Sequence, residues 1–364
     1  MNQNDPTAHL LDAAWKVNQP LTAMIELSTA CNFSCGHCYN FDRSKPAPKY
    51  DEPPLSTSET KGLIDEMAEM GVMMLTFTGG EPGLRKDLPA LVKHATGQGL
   101  YTGIKSNGSL LSSEKLAELA EAGIKKIEIT LYGFSAETHD PFVGVKGSFE
   151  KVVSHIKIIR AQHPDIFLAI NLAVLDHNVH EWHLKQNLQE QIQMPIHTTT
   201  ACHVRHTKDD SSQEHRIPAP KRFDIIDKKT KEWKATSDNA DPERFRCSCA
   251  KTSFAVNARG EVLPCIGVPW KAGSARENNL ATIWQESTVF NRIRGLTEED
   301  YEVCRSCHFQ SKCSRRNSGA YTSSGDYTAP DPSAGEIVWS QYQDSGLPPP
   351  PCLSTSSKKV MSGP

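Results

Sequence analysis

The sequence lacks the features that mark membrane, secreted and nucleic-acid-binding proteins. Its 364 residues contain no apolar window near the roughly 18–20 residues that a membrane-spanning helix requires. The first residues, MNQNDPTAHLLDAAW, contain no basic segment followed by an apolar run, as a signal peptide would. The formal net charge of −3 gives no electrostatic basis for binding nucleic acid or an anionic membrane. We therefore expect a cytoplasmic protein with neither of these as a partner.

Cysteine, by contrast, is abundant, with 11 residues. In a reducing compartment, clustered cysteines indicate metal or catalytic sites rather than disulfides. Ten of the 11 fall in the ranges 31–38 and 247–313 and in the C-terminal tail. Cys202 lies apart, and we interpret it as a small buried apolar residue.

Strand-like and helix-like segments alternate along residues 21–205. The first segment, LTAMIELS (21–28), is apolar and rich in β-forming residues. After it, Ser56 and Glu59 form the pattern of a capping box, which predicts a helix that Gly71 ends. About six such units follow one another, which predicts an α/β fold: a partial (β/α)6 barrel that binds ligands at the carboxyl ends of its parallel strands.

Composition divides the chain into five parts. Residues 1–20 form an N-terminal extension, and 21–205 form the barrel. Residues 206–245 are polar and irregular, which indicates a linker or a cover of the active site. Residues 246–334 form a small cysteine-rich module. Residues 335–364 are rich in Pro, Ser and Gly, which predicts a disordered tail.

Three cysteines, Cys31, Cys35 and Cys38, follow the first predicted strand within eight residues. A zinc site is one interpretation, with His37 as the fourth ligand, but zinc motifs usually contain a second separated pair. A thioredoxin-like redox pair would leave Cys31 unexplained. Bacterial ferredoxins use two-residue gaps throughout and need a fourth cysteine. The spacing of three residues and then two matches none of these patterns.

This spacing resembles the signature of the radical SAM enzymes. The segment TGGEPGLR, which contains Gly79, Gly80, Glu81 and Pro82, stands at the end of the second strand, as in that family. The segments KSNG, ITLYG and ETHDPFVGVKGSFEKV resemble the rest of the family pattern. Outside this context, the two glycines would indicate only a turn between strand and helix.

The resemblance implies a [4Fe–4S] cluster held by Cys31, Cys35 and Cys38, with S-adenosylmethionine (SAM) bound at the open iron. In the family, reductive cleavage of SAM yields methionine and a 5′-deoxyadenosyl radical, which abstracts hydrogen from the substrate. An electron donor of the flavodoxin or ferredoxin type is therefore also implied.

The resemblance also indicates which residues contact the cofactor. The segment at residues 79–82 binds the amino group of SAM in the family, and the backbone at His37 is expected to contact adenine. Three strand-end residues are candidates for ribose and carboxylate contacts, with ordinary strand-end polarity as the alternative. The full set of SAM candidates is His37, Gly79, Gly80, Glu81, Pro82, Ser106, Thr130 and Asn171. Candidate catalytic residues are Tyr132, His203 and Arg205, for which ordinary polarity at the barrel mouth is the simpler interpretation.

A second group of cysteines follows: Cys247, Cys249, Cys265, Cys304, Cys307 and Cys313. Alone, these would indicate structural zinc. Beside the first motif, the region resembles the SPASM extension of radical SAM enzymes, which carries auxiliary iron–sulfur clusters. Gly260 fits a turn between two short strands of this extension.

The extension departs from the family pattern at two positions, Asn317 and Ala334, where cysteines are expected. The remaining cysteines allow two three-thiolate sites, one complete cluster, or a cluster that the distant Cys352 completes by folding back. Because Cys352 follows four prolines, we favour a free thiol in the tail. The sequence thus predicts one or two auxiliary clusters.

The extension is most common in maturases of ribosomal peptides, in sulfatase maturases and in enzymes that make quinone or haem cofactors. We favour the first class and expect crosslinking, oxidation or epimerisation of a peptide. Ile266 follows Cys265 where sulfatase maturases place an acid, so formylglycine formation is discounted. About 20 residues precede the first strand, too few for a peptide-recognition domain, so the peptide would need a separate recognition protein or direct recognition by the enzyme. The alternatives are a small-molecule substrate, such as a tetrapyrrole or aminoglycoside intermediate, and a non-catalytic iron–sulfur or zinc scaffold.

Overall fold

The computed structural model describes residues 6–200, 202, 204–217, 247–310, 312–313, 315–342 and 346–354. Within these residues, nine strands form one sheet in the order β6-β5-β4-β3-β2-β1-β7-β8-β9. The strands are β1 Thr22–Glu26, β2 Met74–Thr78, β3 Tyr101–Ser106, β4 Lys126–Leu131, β5 Phe167–Ala173, β6 Ile196–Thr199, β7 Ser253–Val256, β8 Glu261–Leu263 and β9 Gly273–Ser274.

Helices connect and flank these strands. The α-helices are α1 Pro6–Lys16, α2 Thr57–Glu69, α3 Leu88–Gly97, α4 Ser113–Glu121, α5 Ala136–Val143, α6 Ser148–Gln162, α7 Lys185–Ile192, α8 Leu280–Glu286, α9 Thr288–Arg294, α10 Glu302–Arg305, α11 Asn317–Ser324, α12 Pro332–Tyr342 and α13 Pro351–Ser354. Short 3-10 helices cover Pro82–Leu84, Val179–Leu184, Ser211–His215 and Glu298–Asp300. None of the described helices is long and apolar enough to span a membrane.

The first six strands confirm the predicted α/β fold. Strands β1 to β6 pair in parallel with their neighbours in chain order, which is the arrangement of a partial (β/α)6 barrel. The predicted helix after β1 begins at the predicted capping box. Ser56 Oγ accepts a hydrogen bond from the backbone N–H of Glu59 at 3.2 Å, and Glu59 Oε2 accepts one from the backbone N–H of Ser56 at 2.8 Å.

The two faces of the sheet differ in chemistry. One face contributes buried apolar side chains to the core that the helices cover, namely Ile25, Phe77, Ile104, Ile127, Ile129 and Leu172. The opposite face carries polar side chains, namely Glu26, Lys105, Glu128, Thr130 and Asn171. Two of these form an ion pair, Lys105–Glu128, at 3.3 Å. The polar face is therefore the one that suits a polar ligand.

The cysteine-rich module shares the sheet of the barrel. Strand β7 pairs in parallel with β1, and β8 and β9 follow antiparallel. Gly260 has a φ of 88° and forms the predicted turn between β7 and β8. Trp284 in α8 donates a hydrogen bond to the backbone O of Asn18 at 2.8 Å. The sequence predicted the module but not its pairing with β1.

The prediction of a disordered tail is wrong for the described part of residues 335–364. Helix α12 extends to Tyr342, and α13 covers Pro351–Ser354. Val338 is buried, and the ring of Phe309 contacts those of Trp339 and Tyr342. These apolar contacts order a segment whose composition alone indicates disorder. Residues 355–364 lie outside the described residues, as do residues 218–246 of the predicted linker.

Candidate functional site

The first three cysteines lie together in the loop that follows β1. The backbone N–H of Cys38 donates to Cys35 O at 3.2 Å, which closes a tight turn. Cys35 is buried and packs in an apolar cluster with Phe33 and Val143. Burial raises the pKa of the Cys31 and Cys35 thiols, and the negative charges of the neighbouring thiolates raise that of Cys35 further. Because thiolates here are desolvated and repel one another, a bound cation would stabilise them.

Hydrogen-bond donors surround the same sulfurs. Arg43 Nε donates to Cys38 Sγ at 3.3 Å, and its Nη1 donates to Thr29 O at 2.8 Å. Asn107 Nδ2 lies 3.8 Å from Cys31 Sγ. Such donors favour the thiolate form, which is the form that binds metals.

The two glycines of the GGEP segment pack directly against the cysteine loop. Gly80 N donates to Ser28 O at 2.7 Å, and Glu81 N donates to Ala30 O at 2.9 Å. A Cβ on Gly79 would overlap Ser28 O, and one on Gly80 would overlap Ala30 O. Glycine is therefore required for the close approach of these two backbones.

Glu81 connects the ends of β2 and β3. Its carboxylate is buried and accepts hydrogen bonds from Ser106 Oγ at 2.8 Å, Asn107 N at 2.7 Å and Gly83 N at 2.9 Å. Burial raises its pKa, and these hydrogen bonds oppose the rise. A carboxylate has about four acceptor positions, so one remains for a ligand. Pro82 is buried and opens the 3-10 helix at Pro82–Leu84.

The structure brings Ser106 into this site through its bond to Glu81, and Gly108 N donates to Ser106 Oγ at 2.9 Å. Thr130 and Asn171 are register partners on β4 and β5, so they lie side by side on the polar face of the sheet. Their placement matches a ligand that extends across the carboxyl ends of the strands.

Aromatic rings form one wall beside the cysteine loop. The ring of His37 lies 5.1 Å from that of Tyr132 and 5.3 Å from that of Phe142, measured between centroids. Burial raises the pKa of Tyr132, and the thiolates of Cys35 and Cys38 raise it further. Tyr132 packs against the apolar cluster that contains Cys35.

Arg205 contacts the cysteine loop rather than the polar face of the sheet. It is buried, and its Nη2 donates to Gly36 O at 2.6 Å, inside the motif. Asp209 pairs with Nη1 at 3.3 Å. His203, the other catalytic candidate from this region, lies outside the described residues.

Sequence reasoning missed several residues of this wall. Phe142 stacks on His177 with centroids 3.9 Å apart, and a Cβ on Gly36 would overlap the ring of His215. Tyr39 donates to the buried carboxylate of Glu26 at 2.6 Å. These residues come from β1, the cysteine loop, α5, the loop after β5 and the 3-10 helix at Ser211–His215, and no short spacing in the sequence connects them.

The first three cysteines of the module form one group, which we call the Cys247 group: Cys247, Cys249 and Cys265. The sulfurs of Cys247 and Cys249 lie 3.3 Å apart, and the hydrogen bond between these two side chains lowers the pKa of Cys247. Tyr327 is buried beside these thiols, and burial together with their negative charges raises its pKa.

Asn317, which stands where the family has a cysteine, lies beside the Cys247 group. Its side chain interacts with that of Tyr327, and its Nδ2 donates to Tyr301 Oη at 3.3 Å. Its neighbour Ser318 lies against Gly267, which is close to the sulfur of Cys265. The polar amide therefore occupies the region where a fourth thiol would be expected.

The last three cysteines of the module form a second group, the Cys304 group: Cys304, Cys307 and Cys313. All three line a cavity of about 30 Å³ that opens to solvent. Cys352 lines the same cavity, beside the Cys304 group. Among the described residues, no three His, Cys, Asp or Glu side chains are arranged to hold a single metal ion.

Comparison with known proteins agrees with this arrangement. The model of the radical SAM superfamily matches residues 25–187, and that of the SPASM iron–sulfur cluster-binding domain matches residues 247–308. The PqqA peptide cyclase of Bradyrhizobium diazoefficiens is 30% identical over 80% of this chain and 79% of its own length. The AdoMet-dependent heme synthase of Methanosarcina barkeri is 28% identical over 86% of this chain and 96% of its own length.

Solved structures show the same fold. The crystal structure of Streptococcus suis SuiB bound to its precursor peptide SuiA superposes with a TM-score of 0.63 at 16% identity. The match covers 86% of this chain and 77% of that one. The relatives named above are enzymes, and this finding excludes the alternative hypothesis of a non-catalytic scaffold. The chain is therefore a radical SAM superfamily enzyme with a C-terminal SPASM iron–sulfur extension.

Proposed function

We propose that Cys31, Cys35 and Cys38 hold the [4Fe–4S] cluster that binds SAM, and that the enzyme uses it to modify a ribosomally made peptide. The observation that carries the first part is the packing of the GGEP segment against the cysteine loop. This packing places the two family motifs at the carboxyl ends of adjacent strands, where ligands bind in such barrels.

The residues of the loop fit such a cluster. Three desolvated thiols lie together, and Arg43 offsets part of the negative charge that three thiolates would add. Asn107 donates toward the sulfur of Cys31, as hydrogen bonds to cluster sulfurs do in tuned iron–sulfur sites. When bound, the cluster and SAM supply a 5′-deoxyadenosyl radical that abstracts a hydrogen atom from the substrate.

Different residues of the chain would orient different parts of SAM. The remaining acceptor position of Glu81 and the backbone carbonyls of Gly79 and Gly80 would bind its ammonium group. Ser106, Thr130 and Asn171 are the polar groups available for its ribose and carboxylate. The backbone at His37 would contact adenine beside the aromatic wall.

A peptide substrate has support from two relatives. One is named a peptide cyclase and shares 30% identity over most of both chains. The SuiB structure, which has the same fold, contains a precursor peptide. Crosslinking removes two hydrogen atoms from a peptide. One leaves in 5′-deoxyadenosine. The other leaves as a proton, released to solvent, and an electron, and the cysteines of the module would hold iron–sulfur clusters able to accept that electron.

A small-molecule substrate is the second candidate. The heme synthase relative matches this chain over 96% of its own length. An iron tetrapyrrole with carboxylate side chains is the chemical class to test.

The discriminating experiment offers both substrates to the anaerobically reconstituted, full-length enzyme with SAM and a flavodoxin-type donor. One arm contains the synthetic peptide that is encoded by a short reading frame next to the enzyme's gene, with and without any neighbouring peptide-recognition protein. The other contains a carboxylated iron porphyrin. We expect the peptide to lose two hydrogen atoms or to incorporate solvent deuterium, in proportion to the 5′-deoxyadenosine formed.

The matched control replaces Cys31, Cys35 and Cys38 with alanine, and it should leave both substrates unchanged. Consumption of the porphyrin, with no change in the peptide, would overturn the peptide proposal in favour of the small molecule.

A further inference from the structure

We propose that Cys352 is the fourth ligand of an auxiliary iron–sulfur cluster held by Cys304, Cys307 and Cys313. A thiol from the tail would thereby replace the cysteine that is missing at position 334. The inference rests on the proposed function only in that it assumes an iron–sulfur cluster in the cysteine-rich module.

The four thiols share one enclosed space. Cys304, Cys307, Cys313 and Cys352 all line the cavity described above. The cavity is therefore lined by four thiols, which is the number that a complete [4Fe–4S] site requires.

The sulfur of Cys352 lies where the missing thiol is expected. Ala334 is buried in α12, and the next residue is Gly335. A Cβ on Gly335 would overlap Cys352 Sγ. The tail thiol therefore lies against the helix one residue from position 334, and the glycine provides the space for it.

The tail is held in this position by packing. Pro350 and Pro351 line the cavity together with Val338 of α12. Leu353 also lies close to the position that a Cβ on Gly335 would occupy. Because α12 is in turn fixed by its aromatic contacts with Phe309, the thiol is presented by an ordered segment.

Asp331 is the other anionic side chain that lines the cavity, and its carboxylate is already in use. Its Oδ1 accepts hydrogen bonds from Ser333 N at 3.0 Å and Ala334 N at 3.4 Å, at the start of α12. A carboxylate that caps a helix in this way is a poorer candidate for iron than a thiol in the same cavity.

Metal analysis in a simplified background tests the inference. The full-length chain with Cys31, Cys35 and Cys38 replaced by alanine carries only auxiliary sites, so its iron, zinc and sulfide report on the module. Into this background we would place Cys352→Ala, the reference Cys304→Ala, and the controls Asp331→Asn and Cys202→Ala. We expect Cys352→Ala and Cys304→Ala to lose the same amount of iron. The loss should be about four irons per chain if the whole cluster is lost, and about one if a three-iron cluster survives.

Alkylation of the cluster-loaded wild-type chain provides a measurement that needs no substitution. Cys352 and Cys304 should both be protected from iodoacetamide, and both should react after the iron is removed with a chelator. Gly335→Ala retains every thiol, yet it should lower iron content because the added methyl group displaces Cys352. Gly62→Ala, at a helical glycine with open space around it, is its matched control.

Full iron retention in Cys352→Ala, together with loss in Cys304→Ala, would overturn the inference. Equal alkylation of Cys352 in loaded and iron-free protein would do the same, as would loss of iron in Asp331→Asn alone. Detection of zinc but no sulfide in this background would also overturn the inference, because the four thiolates would then hold zinc and not an iron–sulfur cluster. A failed inference leaves SAM cleavage by the wild type unaffected, whereas failure of the proposed function removes that cleavage even when the auxiliary iron is intact.

Discussion

At the residue scale, close backbone contacts and a buried charge determine the conformation of the cysteine loop. Gly80 lies so close to Ala30 O that no side chain fits, and Arg205 holds the carbonyl of Gly36 inside the cysteine motif. Both residues shape the loop that carries the three thiols. Substitutions at these positions should therefore alter the conformation of the cysteine loop rather than the choice of substrate.

Gly80→Ala should destabilise the fold by about 1–3 kcal/mol, because the added methyl group must push two backbones apart. It should also reduce binding of SAM, measured by isothermal titration calorimetry on reconstituted protein. Gly62→Ala has open space around its Cβ and should be neutral or stabilising by about 1 kcal/mol. Equal stability and equal SAM affinity of Gly80→Ala and wild type would contradict the close packing.

Arg205→Ala should lower the free energy of unfolding by about 2–3 kcal/mol, because it leaves Gly36 O without its charged donor and removes one of the cations that pair with Asp209. If Arg205 positions the loop, the variant should lose iron and also lose cleavage of SAM in the absence of substrate. Arg205→Lys keeps the charge and should recover part of both. Normal iron content and SAM cleavage, with only the KM for substrate raised, would identify Arg205 as a substrate contact instead.

At the scale of elements, the strands and helices are where sequence reasoning succeeded. Each β/α unit has a local signal, such as the capping box at Ser56 and Glu59, so the six parallel strands were predictable. The pairing of β7 with β1 was not, because parallel partners distant in sequence leave no turn signature. The return of Cys352 to the module was only one of several alternatives for a similar reason: its position depends on packing against α12, which composition does not reveal.

A buried histidine at the start of α5 makes stability depend on pH. His139 is fully buried, its Nδ1 accepts from Tyr132 N at 3.2 Å, and burial lowers its pKa to about 4. The unfolded chain binds this proton near pH 6.5, whereas the folded chain binds it only near pH 4. The free energy of unfolding therefore has its full value above pH 6.5 and falls as the pH drops toward 4. By pH 5 the loss should be about 2 kcal/mol.

Urea unfolding at several pH values measures this effect. His139→Asn retains an acceptor for Tyr132 N but does not titrate, so its stability should fall less between pH 6.5 and pH 5 than that of the wild type. His180→Asn, at an exposed histidine, is the matched control. Identical pH dependence in wild type and His139→Asn would show that burial of this ring does not control acid stability.

At the scale of the whole molecule, one continuous sheet joins the barrel to the cysteine-rich module. Strand β1 leads directly into the first cysteine motif and also pairs with β7, which follows Cys247 and Cys249 in the chain. The first cysteine motif and these two cysteines therefore flank neighbouring strands of one sheet.

The cysteine motif and the GGEP segment could be recognised in the sequence because each is short and follows a strand, and the structure packs the two segments together. The sequence could not predict the aromatic and histidine wall, since Phe142, His177 and His215 meet only in the folded chain. Nor could it divide the auxiliary cysteines. The geometry assigns four thiols to one cavity and leaves three beside Asn317 and Tyr327.

The most direct test of the central claim is reductive cleavage of SAM without substrate. Anaerobically reconstituted and reduced wild-type protein should form 5′-deoxyadenosine and methionine in equal amounts. The Cys31→Ala, Cys35→Ala and Cys38→Ala triple variant should form neither, while it retains the iron of the auxiliary sites. Absence of 5′-deoxyadenosine from iron-loaded wild type, or equal amounts from both proteins, would contradict the assignment of these three thiols to the SAM-binding cluster.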